Sequence, residues 1–321
     1  MKKLNIWLVI CLLLIAILAG CSSAENNKNS KEVKKEEHAI KIGVSISDFD
    51  DVWLMYMKDA MESYGKTLGG KVEVVFVDGK DDANKQLAQV ENFIAQEFDV
   101  IVVNPVNTQA TQPMTDAALQ AGVKLVYVNR LPDYLPEGVT FVGSDSVIAG
   151  NLQMEYLAEK LNGKGNVVIM QGSFDSEATY NRTDGVKMIA DKYPNIHIIK
   201  VDTANFSREE GMMLMENWLS TGDQIDAVAA NNDEMAIGAI QAIEAAGKLG
   251  EILVGGIDAT PEALSEMEKG RLACTIFQDA TGQGEGAIKA AYNLAIGKNV
   301  EQKVWIPFQL VTPENIDKFK K

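Results

Sequence analysis

The sequence predicts an α/β fold of two doubly wound parallel-sheet lobes. Three observations carry this. Short β-branched runs recur from Ala39 onward, and several are apolar at every residue, as strands covered on both faces are. Helical patterns lie between them, so the repeating unit is strand–helix–strand, with parallel strands joined by right-handed crossovers. A chain of 321 residues is also long enough to build two cores rather than one.

The elements follow in order. Strands are predicted at 40–46, 72–77, 100–103, 125–128, 167–170, 196–201, 227–229 and 252–254. The segment 86–98 places Leu87, Val90, Phe93, Ile94 and Phe98 close to 3.6-residue spacing, which predicts an amphipathic helix. Ser207-Arg208-Glu209-Glu210 reads as a capping box opening the helix that carries Met212, Leu214, Met215 and Leu219. About six such elements fit by Thr140 or a little after it, and a similar set follows. Ligands of doubly wound sheets bind beyond the carboxyl ends of the strands, so the cleft between the lobes is the expected site.

Composition narrows the chemistry. Against 30 Lys and Arg stand 45 Asp and Glu, a formal charge of −15, which makes nucleic acid a poor partner. Two His (His38, His197) and three Cys (Cys11, Cys21, Cys274) do not furnish a zinc site or a disulfide framework. His197 falls inside the apolar strand 196–201 and reads as a half-exposed strand residue rather than a catalyst. Cys274 lies in the apolar stretch 272–276 and reads as a buried, inert thiol.

Met1-Lys2-Lys3 precedes the apolar run 4–18, the pattern of a secretory signal. The run is short for a bilayer span. It ends in Leu18-Ala19-Gly20-Cys21, which resembles the bacterial lipobox, whose cysteine is acylated; the alternative is an uncleaved anchor helix with an incidental cysteine. Residues 1–20 are expected to be the signal peptide. Residues 21–38 are poor in large apolar side chains and are expected to form a flexible tether. The protein would then work outside the cytoplasm, held to the membrane only by lipid on Cys21.

The strand ends carry polar residues throughout: Asp50-Asp51-Val52-Trp53 after the first strand, then Asn129-Arg130, Arg182, Asn205-Phe206, Asn231-Asn232-Asp233, Asp258 and Gln278. Such a set suits a neutral polyhydroxylated ligand. Each hydroxyl donates and accepts, so a dry site needs acceptor-only carboxylates beside donor-only guanidinium groups and two-way amides. Trp53 and Phe206 could cover the two faces of a sugar ring. An anion would call for an uncompensated Arg pair, whereas Arg130 and Arg182 sit among Asp51 and Asp258. Each residue also has a purely structural reading. Trp53 could pack in the core, Asp51, Asn232 and Asp258 could cap helices, Phe206 could be a hydrophobic staple, and Arg130 and Arg182 could form surface ion pairs. Arginines beside Asp51 and Asp258 are expected to lower their pKa values.

From about Ile40 to Thr312 these residues resemble the type I periplasmic sugar-binding proteins of ABC transporters. Ile42-Gly43-Val44 with Asp50-Asp51-Val52-Trp53 resembles the opening of glucose/galactose-binding members. Asn129-Arg130, Arg182, Phe206, Asn232-Asp233-Glu234-Met235-Ala236, Asp258-Ala259-Thr260-Pro261 and Gln278 fall in the order in which ribose- and galactose-type members place ligand contacts. Asn92-Phe93-Ile94-Ala95-Gln96, Val126-Tyr127-Val128-Asn129-Arg130 and Lys303-Val304-Trp305-Ile306-Pro307-Phe308 are most similar to the inositol and rhizopine-like subgroup. One departure is clear: Asn162-Gly163-Lys164-Gly165-Asn166 is too short and too poor in acids for the calcium loop of the galactose branch, so no metal and no cofactor are expected.

The resemblance implies three crossings between lobes, near 143–145, 278–280 and 307–309. The N-terminal lobe would be 39–144 plus 279–307 and the C-terminal lobe 145–278 plus 308–321. It also implies the ligand set Asp51, Trp53, Asn129, Arg130, Arg182, Phe206, Asn232, Asp258 and Gln278, no catalytic residue, a monomer, and a permease partner that recognises the closed form. Inositol is the favoured ligand, then glucose or galactose, then ribose. Two other functions share some of these features. A glycoside hydrolase would need two cleft carboxyls about 5–10 Å apart. A sugar-responsive repressor would need a DNA-binding segment where this chain has a signal and a polar tether.

Overall fold

The computed structural model describes residues 39–320; the signal, the tether and Cys21 lie outside the described residues. Two parallel sheets organise them. The first contains β1 (Ile40–Ile46), β2 (Val72–Asp78), β3 (Val100–Val103), β4 (Lys124–Asn129), β5 (Val139–Gly143) and β11 (Lys303–Trp305) in the order β11-β5-β4-β3-β1-β2. Every neighbouring pair is parallel. The second runs β7-β6-β8-β9, from β6 (Lys164–Gln171), β7 (Asn195–Thr203), β8 (Ala227–Ala230) and β9 (Leu253–Gly255), again parallel. An antiparallel pair, β10 (Thr275–Phe277) with β12 (Gln309–Val311), joins this second lobe through bridges from Gly255 to Cys274 and from Asp258 to Phe277.

Alternation along the strands builds a core on each face. In the first lobe Ile42, Val44, Val100 and Val102 pack against α1 (Val52–Thr67) and α9 (Ala280–Ala295). Ile101, Val103, Leu125 and Tyr127 face α2 (Ala83–Ala95) and α3 (Gln112–Ala121). In the second, Val167 and Ile169 meet α4 (Ser146–Lys160) and α5 (Glu177–Ala190). Val168 and Met170 meet α6 (Arg208–Ser220) and α7 (Asp233–Ala245). The short α8 (Pro261–Glu268) completes that side.

All eight predicted strands are present, most of them longer than their apolar runs. The strand read as ending at Ile276 and the strand pattern around Trp305 are β10 and β11, and two more strands, β5 and β12, were not apparent in the pattern. β12 has three residues, too few to display a period, and β5 has its run broken by Thr140 and Gly143. The helix expected over 86–98 begins earlier, because Asp82 accepts hydrogen bonds from Asn84 N and Lys85 N and so caps it. It ends at Ala95; Glu97 turns the chain at φ 57°, and Phe98 reaches the core from the loop against Phe93. The capping box at Ser207 is half formed. Ser207 Oγ accepts from Glu210 N, but the Glu210 carboxylate accepts from Asn205 Nδ2 instead of the Ser207 amide. Cys274 is fully buried, and burial pushes its thiol far up from the ordinary range.

Candidate binding cleft

The carboxyl ends of both sheets open onto one small cavity, lined by Asp51, Trp53, Asn129, Arg130, Arg182, Phe206, Asn232, Asp258 and Gln278, together with Leu54, Ser176 and Ala178. The structure thus gathers all nine sequence-predicted residues around a single space.

The first lobe supplies four of them. Asp51 caps α1, one carboxylate oxygen accepting from Leu54 N at 3.0 Å, so the structural reading of this residue holds beside its place in the cavity. Two residues on, Trp53 is 7% exposed; its ring joins the core beneath the cleft and its Nε1–H donates to the Gln278 carbonyl at 3.2 Å. Asn129 sits in the left-handed region at φ 67°, and its amide is engaged at both ends: Oδ1 accepts from Asn104 Nδ2, and Nδ2 donates to Gln283 Oε1. That network continues through Gln86, which donates to the Asn104 carbonyl, and through Gln283, which donates to Ser144 Oγ. Arg130 spends Nη1 on the carbonyls of Pro105 and Val106.

The second lobe supplies the more buried half. Arg182, in α5, is 5% exposed. Its Nη1 donates to the Asn231 carbonyl at 2.6 Å and its Nη2 to Gln278 Oε1 at 2.9 Å, while its buried Nε–H meets no acceptor. Phe206 is held at φ 62° and lies directly on Gly172; a Cβ there would come 2.0 Å from the ring, so only glycine allows this approach. Asn232 caps α7, accepting from Met235 N, and its Nδ2 donates to the Phe206 carbonyl, which ties two cavity residues together.

Asp258 has the unusual φ of 129°, followed by Ala259 at 54°. Such strain gathers at ligand-binding positions, held by the surrounding structure. Here the clamp is Asp233 below, whose carboxylate accepts from Thr275 Oγ1 and Thr260 N. Gly256 leaves room for it, since a Cβ would lie 2.1 Å from Asp233 Oδ1.

The acids do not titrate as their arginine neighbours suggest. Burial raises Asp258 well above the carboxylate range, outweighing Arg182, and Asp233 adds to the rise. Asp51 is also raised, by loss of water first, with Leu54 N–H and Arg130 pulling back. Asp233 is pushed up to about 7 by burial against its two hydrogen bonds. The expected lowering of Asp51 and Asp258 is therefore overturned. Arg182 is already committed to neutral carbonyl oxygens, and the loss of hydration outweighs what remains of its field.

Leu54, Ser176 and Ala178 were not foreseen as lining residues. Ser176 carried a readable signal, as a Ser before Glu-Ala at a helix start; it caps α5 by accepting from Ala178 N. Leu54 and Ala178 are apolar first-turn neighbours of residues that were foreseen, and only the fold brings them to the cavity.

The model of the periplasmic binding protein domain matches residues 42–299. The provisionally named rhizopine-binding protein of Rhizobium meliloti is 46% identical over 294 residues, covering 90% of this chain and 95% of its own length. A xylitol-binding protein of Mycolicibacterium smegmatis is 33% identical, covering 94% of this chain and 83% of its own. Among solved structures, an ABC transporter solute-binding protein from Bacillus halodurans with bound myo-inositol superimposes with a TM-score of 0.86 at 46% identity, covering 89% of this chain and 98% of that one.

Proposed function

The chain belongs to the periplasmic binding protein family, and from that membership we propose that it is the solute receptor of an ABC importer that closes its lobes on a neutral cyclitol or monosaccharide. An inositol is the first candidate, then glucose or galactose, then ribose. The receptor captures its ligand without converting it. Support for an inositol comes from the Bacillus halodurans protein solved with myo-inositol and from the Rhizobium meliloti relative named for rhizopine.

The observation that carries the reading is how the cavity spends its hydrogen bonds. Arg182 and Arg130 give guanidinium protons to protein carbonyl oxygens, yet Arg182 Nε–H remains unspent. Among the described residues no donor is bonded to the Asp258 carboxylate, and Asp51 uses one oxygen on its cap. Acceptors and donors thus remain side by side, which a hydroxyl-bearing ring satisfies on both counts, each charge-assisted bond contributing roughly 1.5–3 kcal/mol. An anion would gain little from arginines already committed and would meet two carboxylates.

The proposed ligand residues are Asp51, Trp53, Asn129, Arg130, Arg182, Phe206, Asn232, Asp258 and Gln278, with Trp53 and Phe206 against the ring and Asn129 acting chiefly through its network. Lobes of 39–144 plus 279–307 and 145–278 plus 308–321 agree with the strand membership of the two sheets. A monomer held to the membrane through lipid on Cys21 completes the proposal. Calorimetric titration with myo-inositol and a panel of hexoses and pentoses tests it. The expected result is binding near micromolar, about −8 kcal/mol, with the ligand recovered chemically unchanged; absence of binding by every cyclic polyol overturns the reading.

A further inference from the structure

The loop and helix start at 173–177 in the second lobe reach across the cleft mouth to two segments of the first. Thr108 N donates to the Asp175 carbonyl at 2.9 Å, and Asn107 Nδ2 donates to Asp175 Oδ1 at 2.6 Å. Beside them Leu131 N, from the loop between β4 and β5, donates to Glu177 Oε1 at 3.2 Å, and Ser146 Oγ at the start of α4 donates to the same oxygen. The bonds from Thr108, Asn107 and Leu131 join the two lobes and can exist only when the cleft is shut; the Ser146 bond lies within the second lobe.

Glu177 stands apart within this set. It is 9% exposed, yet it does not line the ligand cavity, although Ser176 and Ala178 on either side do. Its second oxygen, Oε2, is buried without any donor. A carboxylate with one bare buried oxygen is costly while charged, because nothing in the shut cleft replaces the water it loses.

We propose that Glu177 is an interlobe latch that sets ligand affinity from outside the cavity, and that it holds the closed form more tightly as the medium acidifies. This rests on the reading of the protein as a receptor that closes on its ligand. Two charged groups act on the carboxyl group, and two more line the groove beside it. Arg182 lies on its own helix and Arg130 in the loop after β4; Asp133 and Lys303, from the first lobe, line the same outer groove. Ser146 and Leu131 are the uncharged contacts. Burial prevails over the arginines and the two hydrogen bonds, and in the closed form Glu177 is pushed up to about 7.

A glutamate returned to water titrates near 4.3. The sign follows directly. The closed form binds this proton more tightly than the open form, so closure gains from acidification below the closed-form value. The gain is lost as pH rises through about 7. Asp51 and Asp258 act in the opposite sense on a bound polyol, since protonation costs them acceptor strength. Comparing wild type with a Glu177 variant that keeps both aspartates cancels their contribution.

The test is titration of wild type, Glu177→Gln and Glu177→Ala with myo-inositol at about pH 8 and about pH 5.5. Relative to Glu177→Gln, wild-type affinity is expected to rise about thirtyfold on acidification. Glu177→Gln keeps an oxygen for Leu131 N–H and should bind at about pH 8 at least as well as wild type. Glu177→Ala loses the cross-lobe bond and should bind several-fold more weakly at both values. Parallel pH profiles for wild type and Glu177→Gln overturn the latch while leaving the receptor reading intact. If wild type binds no polyol, the receptor reading fails and the latch is judged by solution scattering of ligand-free protein. A radius of gyration that falls on acidification in wild type and not in Glu177→Gln supports it, and identical behaviour overturns it.

Discussion

Two arginines of the second lobe, Arg182 and Arg208, handle their surroundings in opposite ways. On the outer side, Arg208 forms paired hydrogen bonds with Glu234 (2.9 Å twice) and with Glu262 (2.7 and 2.8 Å). Each carboxylate there meets a full complement of charge, and the Glu262 carboxyl is held below its usual range by the Arg208 hydrogen bonds. In the cleft, Arg182 bonds to a backbone carbonyl and an amide oxygen, and the nearby Asp258 is left without a donor. The surface site satisfies its charges internally. The cleft withholds that satisfaction, and a ligand rich in hydroxyl groups can supply it. A binding site is thus distinguished here by which hydrogen bonds are left unmade, rather than by which charged residues are present.

The contrast is broken most severely at Arg182. Arg182→Met keeps most of the volume but strands the Asn231 carbonyl and Gln278 Oε1 in a buried place. Unpartnered buried groups cost about 1–3 kcal/mol each, so a loss of roughly 2–4 kcal/mol of stability is expected in chemical denaturation. Affinity for the polyol should fall more than about 100-fold, as Gln278 loses the group that orients it and the cleft loses a guanidinium donor. Arg182→Met with wild-type stability and affinity would mean the guanidinium is incidental.

Asp258 sharpens the contrast with a smaller effect of mixed sign. Asp258→Asn removes a charged acceptor from the ligand, and affinity should fall about 10- to 100-fold. In the absence of ligand the same change should stabilise the protein at about pH 8. The reason is linkage: the native pKa is raised by burial, so the native state binds the proton more tightly than the unfolded chain. The contribution to stability is present at low pH and lost as pH rises through the native value. Wild type and variant should therefore have similar melting temperatures near pH 4 and separate as pH rises, the variant the higher. Wild-type melting temperature should itself decline through about pH 7, where Asp233 and Glu177 add losses of the same sign. A melting difference that does not vary with pH would show that Asp258 is not the buried, donor-poor acid described here.

The cleft residues were legible in the sequence because parallel sheets put ligands at strand ends, and each strand end announced itself by the change from apolar to polar. Trp53 and Asn232 show the limit of that signal. The sequence offered a cleft position and a structural role as alternatives, and the fold gives both at once: Trp53 lines the cavity from within the core, and Asn232 caps a helix while lining it. Asn129 was legible as a strand-end amide, but not as one committed at both ends to Asn104 and Gln283, 25 and 154 residues away. Glu177 was invisible. Nothing in Ser-Glu-Ala tells that the carboxyl group will meet Leu131 across a cleft, because that contact is set by how the lobes meet and not by any local pattern. The short strand β12 failed for a related reason, since it exists only through its partner β10.

The smallest effect is expected where charges are fully paired. Arg208→Ala removes both ion pairs, but Arg208 and Glu262 are 30% and 54% exposed in their side chains, and water takes over much of what is lost. Glu234, at 22%, keeps more of the interaction. Exposed pairs contribute about 0.2–1 kcal/mol, and a bidentate network lies at the upper end, so a loss of about 1 kcal/mol is expected at low salt, shrinking as salt is added. Polyol affinity should change by less than about twofold, because Arg208 does not line the cavity, and 1.4 kcal/mol would be needed for a tenfold change. This variant also guards the Arg182 and Asp258 results. Were Arg208→Ala to weaken ligand binding as far as Asp258→Asn does, paired and unpaired charges of this lobe would matter alike, and the distinction drawn between surface and cleft would fail.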